Sequence, residues 1–315
     1  MPDFIHNDPE FKELLAIVSE KERIVPALVE KDYWIMHILY GLNQQGIEFE
    51  LKGGTSLSKG FGLIHRFSED IDIHIKTNFG LPTEGKDDKS EVREARKAFY
   101  DLLSKKIQID SIIKVERDMA FDDTIKYRSG GIRLYYTSYT QAINGLKDGI
   151  LLEAGFDTVA PNRPVTISSW VMDYVKSLNE PFEYIDNTAL NVLCYLPGYT
   201  LVEKIQTIVN KYRKETQGVQ PVNFMRQYYD VYCLLKNPEV QEFIGTPEYL
   251  AHKVARFHGA DKAIPLHEHP ALLLNDQKIR QTFEERYLAS AALYYRGQPN
   301  FDEIADLIQS YISKL

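Results

Sequence analysis

The sequence predicts an α+β protein, a mixed-sheet domain flanked by helices and followed by a helical C-terminal part. Three observations carry this expectation. The chain opens with two segments of helical period, its middle holds five alternating runs, and from Thr200 onward helical patterns dominate. "DPEFKELLAIVSEKERI" and "PALVEKDYWIMHILYGL" place apolar residues three and four apart, as helices do. "IEFEL" then alternates, with Ile47, Phe49 and Leu51 on one face, and stops at Gly53-Gly54. "TSLSKGFG" is long enough for about two helical turns, and "DIDIHI" alternates again. A charged amphipathic helix is expected over "KSEVREARKAFYDLLSKKI", followed by strands in "SIIKVERDM", "IRLYYTS" and "GILLEAGFD". Four helical patterns follow: "TLVEKIQTIVNKYRKE", "NFMRQYYDVYCLLK", "QTFEERYLASAALYY" and "FDEIADLIQSYISKL". The change of pattern near Pro197-Gly198 divides the chain into 1–196 and 197–315.

Composition narrows the function classes. The 315 residues are 44% hydrophobic and 26% charged, an ordinary globular balance. No apolar run reaches the roughly 18–20 residues of a membrane span. The opening "MPDFIHNDPEFKELL" lacks the basic-then-apolar order of a signal peptide, so a cytoplasmic location is expected. Cys194 and Cys233 both sit in apolar settings and are expected to be buried and reduced. A net charge of −8 excludes a general positive field for nucleic acid. Any such contact must be local, and the richest cluster is Lys204, Lys211, Arg213 and Lys214.

The chemistry concentrates in "LKGGTSLSKGFGLIHRFSEDIDIHI", residues 51–75. Strand alternation sets Ser68, Asp70, Asp72 and His74 on one face and Ile71, Ile73 and Ile75 on the other. Carboxylates two residues apart on a strand lie roughly 7 Å apart at Cα. Their oxygens can converge on one Mg²⁺ or on two ions about 3.5–4 Å apart. Gly53 and Gly54 let backbone approach a phosphate, while Thr55 and Ser56 offer hydroxyl donors. A Walker loop is excluded because Gly-Lys-Ser/Thr is missing, and Gly-x-Gly-x-x-Gly does not occur in this stretch. An acidic, solvent-facing edge strand is the bland alternative for Asp-x-Asp alone. The preceding strand, double glycine and hydroxyl-rich turn favour a nucleotide site.

This order of elements resembles the polymerase-beta type nucleotidyltransferase superfamily. The string "LKGGTSLSKG…RFSEDIDI" resembles one branch, the AbiEii/AbiGii-type nucleotidyltransferase toxins of abortive-infection and toxin–antitoxin systems. "LVEKDYWIMHIL" (28–39), "LVEKIQTI" (201–208) and "RQYYDVYCLL" (226–235) are similar to three further segments of that branch, in its order. The resemblance implies that Asp70 and Asp72 bind metal and that Ser68 lies beside the reacting phosphate. It implies that Lys204 contacts the triphosphate and that Asp230 completes the site, the helical part thereby closing the active-site cleft. Many superfamily members carry a third carboxylate on a later strand, for which Glu153 is the candidate and Asp157 the weaker choice. The segment between Gly54 and Asp70 is longer than is usual in the superfamily, in keeping with the toxin branch. The implied substrate is an NTP with Mg²⁺ or Mn²⁺, the acceptor a tRNA 3′ end, and the partner a cognate antitoxin. Transfer of a nucleotidyl or phosphoryl group to a small molecule or protein, or nucleotide binding without catalysis, are the alternatives.

Bland explanations compete at several positions. Lys204, Thr207 and Lys211 share a helix face opposite Leu201, Ile205, Ile208 and Val209, which an exposed amphipathic lysine also explains. Asp230 lies four residues after Arg226, as in a surface pair. His267 and His269 lack a third metal ligand nearby, and His65 and His74 lack a hydrolase motif. Most of the 20 tyrosines are expected to fill half-buried positions.

Overall fold

Two α-helices lead the chain, α1 (Phe11–Glu22) and α2 (Pro26–Gln44), and α2 is buried on every side. The computed structural model describes residues 2–315 except positions 87, 88, 142, 144, 145, 158, 160, 180 and 182. After α2 come β1 (Phe49–Lys52), α3 (Gly53–Thr55) with a wider helical turn over Ser56–Gly60, and β2 (Asp70–Ile75). Then follow α4 (Ser90–Lys106), β3 (Ile112–Asp118), β4 (Ser129–Tyr136), β5 (Ile150–Gly155) and β6 (Asn162–Ile167). The series closes with α5 (Trp170–Ser177) and β7 (Ala189–Tyr195). The seven strands form one mixed sheet in the order β3-β4-β5-β2-β1-β7-β6, with β2–β5 and β1–β7 parallel.

Every helix and strand expected up to residue 157 is present. Strands β6 and β7 and helix α5 were not foreseen, and for the two strands local irregularity is the reason. In β7, Asn191 takes a positive φ of 53°, which spoils the two-residue alternation that marks a strand. Edge strand β6 carries Pro164 and a register shift near Val165, both tolerated at an edge.

The chain divides into two units. The first comprises Met1–Gly60 with Ser68–Tyr195, and the second Phe61–Phe67 with Leu196–Leu315. The short stretch 61–67 thus groups with the unit that resumes at Leu196. That unit contains α6 (Pro197–Thr216), α7 (Met225–Leu235), α8 (Pro238–Phe243), α9 (Pro247–Arg256), α10 (Pro270–Leu273), α11 (Gln277–Leu288) and α12 (Phe301–Tyr311). Among the described residues no helix is long and apolar enough to cross a membrane.

Within the first unit, "EKDY" is the polar interruption of α2, and all four side chains are buried. Each reaches a different neighbour. Glu30 accepts from Tyr139 N at 2.7 Å and Ser138 Oγ at 2.8 Å. Lys31 donates to the Lys147 carbonyl and pairs with Glu69 at 3.8 Å. Asp32 accepts from Trp170 N at 2.8 Å and pairs with Lys59 at 3.0 Å. Tyr33 Oη and His6 Nδ1 share a hydrogen bond of 2.7 Å. Buried polar groups must be paired, so a charged run inside an apolar helix reports fixed loops around it.

Both cysteines are free thiols. Cys194 is buried as expected, whereas Cys233 is only half-buried. Burial pushes both thiols up to about 12, so neither is a reactive thiolate. His269 caps α10 by accepting from Ala271 N at 3.2 Å, a structural task, and His267 lies on the surface beside Glu268.

Candidate active site

Registration across three strands builds one acidic row. Lys52 of β1 lies opposite Asp72 of β2, and Asp72 lies opposite Glu153 of β5. Directly registered partners share a face, so Lys52, Asp72 and Glu153 stand side by side, with Asp70 two residues along. On the other face Ile71, Ile73 and Ile75 are buried to within 3% exposure and anchor β2 in the core. His74 continues the acidic row at its outer end, where its Nδ1 lies 2.7 Å from Glu50 Oε2. Glu50 also binds Lys76 and Asn162, which makes this end a closed polar cluster.

The carboxylates of the row repel one another. Burial raises Asp70 above the usual carboxylate range, Lys147 opposes this, and Asp72 adds to it. Burial and the neighbouring Asp72 push Glu153 up to about 7, with Lys52 opposing. A cation would relieve both. Among the described residues no three His, Cys, Asp or Glu side chains converge closely enough to cage a metal ion. Mg²⁺ does not require such a cage, since it commonly uses one or two carboxylates together with substrate phosphates and water. The hard oxygen donors of Asp70 and Asp72 therefore fit it, and Glu153 stands on the same face. Asp157 lies beyond the end of β5 and faces Arg128 at 3.5 Å.

The glycine turn is shaped by Asp72. Gly53 takes φ +70°, and a Cβ there would lie 2.2 Å from Asp72 Oδ2. The first glycine thus leaves room for the carboxylate that the next strand supplies. Thr55 and Ser56 are buried, at 1% and 0% exposure. Thr55 Oγ1 donates to the Asp70 carbonyl at 2.6 Å and pins the start of β2. The hydroxyls expected to face a phosphate are instead directed into the unit, because both positions lie in a turn packed beneath the sheet face. Gly54 is buried beside them, and Ser68 is half-buried two residues before β2 begins.

In the helical unit, Asp230 of α7 has no exposure at all. Its two oxygens accept from Arg66 Nε and Nη2, each at 2.6 Å, in a bidentate pair. Lys204 of α6 lies 2.9 Å from Oδ2, with a side chain only 13% exposed. Burial works to raise this carboxyl, yet Arg66 and Lys204 hold it below its ordinary range. Asp230 is accordingly neither the surface partner of Arg226 nor free to face a ligand; it fixes two cations. Nor is Lys204 an exposed lysine. Further along α6, burial and the neighbouring Lys204 push Lys211 down to about 8, and its Nζ donates to the Val222 carbonyl at 2.7 Å.

Arg66 was missed in the sequence because its partner is 164 residues away. The stretch containing it is knitted into the helical unit by Phe67 N to Leu293 O at 2.8 Å and Tyr295 N to His65 O at 3.2 Å. Lys31, Glu69 and Lys147 in the first unit were missed too. The signal for Lys31 was present, in the charged run Glu30-Lys31-Asp32 inside a largely apolar helix.

A family model described as the nucleotidyl transferase AbiEii toxin of type IV toxin–antitoxin systems matches residues 37–307. None of the curated proteins matches the chain. The matched span contains the glycine turn, the Asp-x-Asp strand, Glu153 and the Lys204–Asp230 pair. The chain belongs to the AbiEii nucleotidyl transferase toxin family of type IV toxin–antitoxin systems.

Proposed function

We propose that the protein transfers a nucleoside monophosphate from an NTP to an acceptor hydroxyl, with Mg²⁺ or Mn²⁺ held by Asp70 and Asp72. The tRNA 3′ end is the proposed acceptor, and the setting is the cytoplasm. The observation that carries this reading is the registered row of Asp72 and Glu153 beside Asp70, set over Gly53. When bound there, the metal supplies neutralisation of triphosphate charge and a lower pKa for the acceptor hydroxyl. Glu153 is proposed as a third ligand, its proton displaced on binding. The acceptor oxygen attacks the α-phosphorus in line and releases its proton to solvent, the new P–O bond forms, and the bond from the α-phosphorus to the bridging oxygen breaks to release pyrophosphate. Ser68 is proposed to stand beside the reacting phosphate and Gly53–Ser56 to line the phosphate path through backbone N–H groups. Lys204 is proposed as a contact for the triphosphate, held in one rotamer by Asp230. Membership of a toxin–antitoxin family supports a cognate antitoxin as partner.

The test combines purified protein, Mg²⁺, each α-labelled NTP in turn and total tRNA. Wild type is expected to label a ribonuclease-sensitive product, and Asp70→Asn to abolish labelling while remaining folded. Wild-type activity in Asp70→Asn would remove this assignment. The charge of −8 favours a second acceptor class, a small molecule or protein hydroxyl. A labelled product that resists ribonuclease would select it, and retention of a γ-label would indicate phosphoryl transfer.

A further inference from the structure

Lys147, in the segment before β5, is held in an unusual way. Its backbone N–H donates to Glu69 Oε2 at 3.3 Å, and its carbonyl accepts from Lys31 Nζ. Glu69 and Lys31 are 5% and 1% exposed and pair with each other at 3.8 Å. One buried ion pair therefore grips both polar backbone groups of a single lysine. Its side chain remains 39% exposed, with Nζ 4.7 Å above the Phe121 ring and 3.8 Å from Asp70 Oδ1.

Two magnitudes argue that this is more than a surface contact. An exposed lysine–carboxylate pair contributes about 0–1 kcal/mol and needs no support. Burying two charges costs several kcal/mol per ion, offset only by good pairing and further hydrogen bonds. Here both backbone groups of Lys147 are among the hydrogen-bond partners of the pair. At 3.8 Å its ammonium is too far from Asp70 for a direct hydrogen bond, so it can donate to another anion on the same face. An incoming triphosphate meets three repelling carboxylates on that face, and Lys147 supplies positive charge beside the first of them. Lysine suits the task as a compact, mobile point charge.

We propose that Lys147 is a triphosphate-binding residue of the carboxylate face, positioned by the buried Lys31–Glu69 pair. The identity of its ligand rests on the nucleotidyl-transfer reading above.

The experiment titrates inorganic tripolyphosphate with Mg²⁺ into wild type, Lys147→Ala, Lys147→Arg and Lys31→Met by calorimetry. It also measures KM and kcat for NTP in the labelling assay. Lys147→Ala is expected to weaken tripolyphosphate binding about 10- to 100-fold, the range for one charge-assisted hydrogen bond. Its thermal midpoint should stay at the wild-type value, and Lys147→Arg should recover most of the affinity. Lys31→Met should raise KM with kcat unchanged, as expected for lost positioning. The exposed Lys147 variants keep the test decisive should Lys31→Met fail to fold. Tripolyphosphate affinity within about twofold of wild type in Lys147→Ala would overturn the proposal and leave Lys147 as a counter-ion for Asp70. Failure of wild type to bind tripolyphosphate would overturn it as well. An active wild type with an unchanged KM in Lys147→Ala sinks this inference alone. Lys147-dependent tripolyphosphate binding without label transfer from any NTP sinks the nucleotidyl-transfer reading and leaves the phosphate contact standing.

Discussion

The carboxylate row of the sheet unit and Asp230 of the helical unit are the same chemistry placed in opposite surroundings. Asp70 and Glu153 are raised above their ordinary range by burial and by each other's neighbour Asp72. Asp230 is more deeply buried than either, yet it is held below that range by Arg66 and Lys204. One region carries excess negative charge that a cation would relieve, while the other closes its charge internally. The lesson is that burial alone does not identify a functional acid; the balance of partners does.

The largest expected effect comes from breaking the closed side. Asp230→Ala leaves Arg66 and Lys204 without their buried counter-charge and is expected to cost about 3–5 kcal/mol in urea unfolding. Asp70→Asn should cost nothing or stabilise, because it removes a repelled charge. Equal losses in the two variants would erase the distinction. The pH limbs should differ in sign as well. Asp230, with its depressed pKa, stabilises the fold above the ordinary carboxylate range, and that contribution is lost as pH falls through its folded value.

A smaller effect is expected at the glycine turn. Gly53→Ala combines positive-φ strain of about 1–2 kcal/mol with a collision against Asp72, so both the thermal midpoint and label transfer should fall. Gly62 also has a positive φ, +63°, but open space where a Cβ would go. Gly62→Ala should therefore show the backbone strain without the loss of activity. Similar activity in the two alanine variants would mean that Asp72 does not need the space.

The smallest effect tests the open side directly. Burial and the neighbouring Asp72 push Glu153 from its ordinary 4.5 up to about 7 in the folded chain. Between those values the unfolded chain has released a proton that the folded chain retains, so stability from this group falls as pH rises. Glu153→Gln should remove that slope. Its thermal midpoint in EDTA should exceed that of wild type by more at pH 8 than at pH 5, and a constant gap would refute the shift. Mg²⁺ should correspondingly stabilise wild type more at pH 8 than at pH 6.

Much of the site is legible because strand alternation is local. Asp70 and Asp72 on one face and three isoleucines on the other follow from a two-residue period, as does the strand that contains Glu153. Gly53 and Gly54 were readable as a turn, but the reason for Gly53 was not, since it depends on where the Asp72 carboxylate lies. Thr55 and Ser56 were misjudged as outward hydroxyls because a short turn has no period from which to read facing. β6 and β7 escaped because a positive φ, a proline and a register shift erase the alternating signal.

By itself, the sequence determined the α+β class, the strand that carries Asp70 and Asp72, and the family. These properties reside in local periodicity and in short motifs whose residues are neighbours along the chain. Only the tertiary structure decided that Glu153 stands beside Asp72, that Arg66 neutralises Asp230, and that Lys31 and Glu69 grip Lys147. Each of those pairings joins residues far apart in sequence, and their energies depend on burial and distance. Those two quantities exist only once the chain has folded.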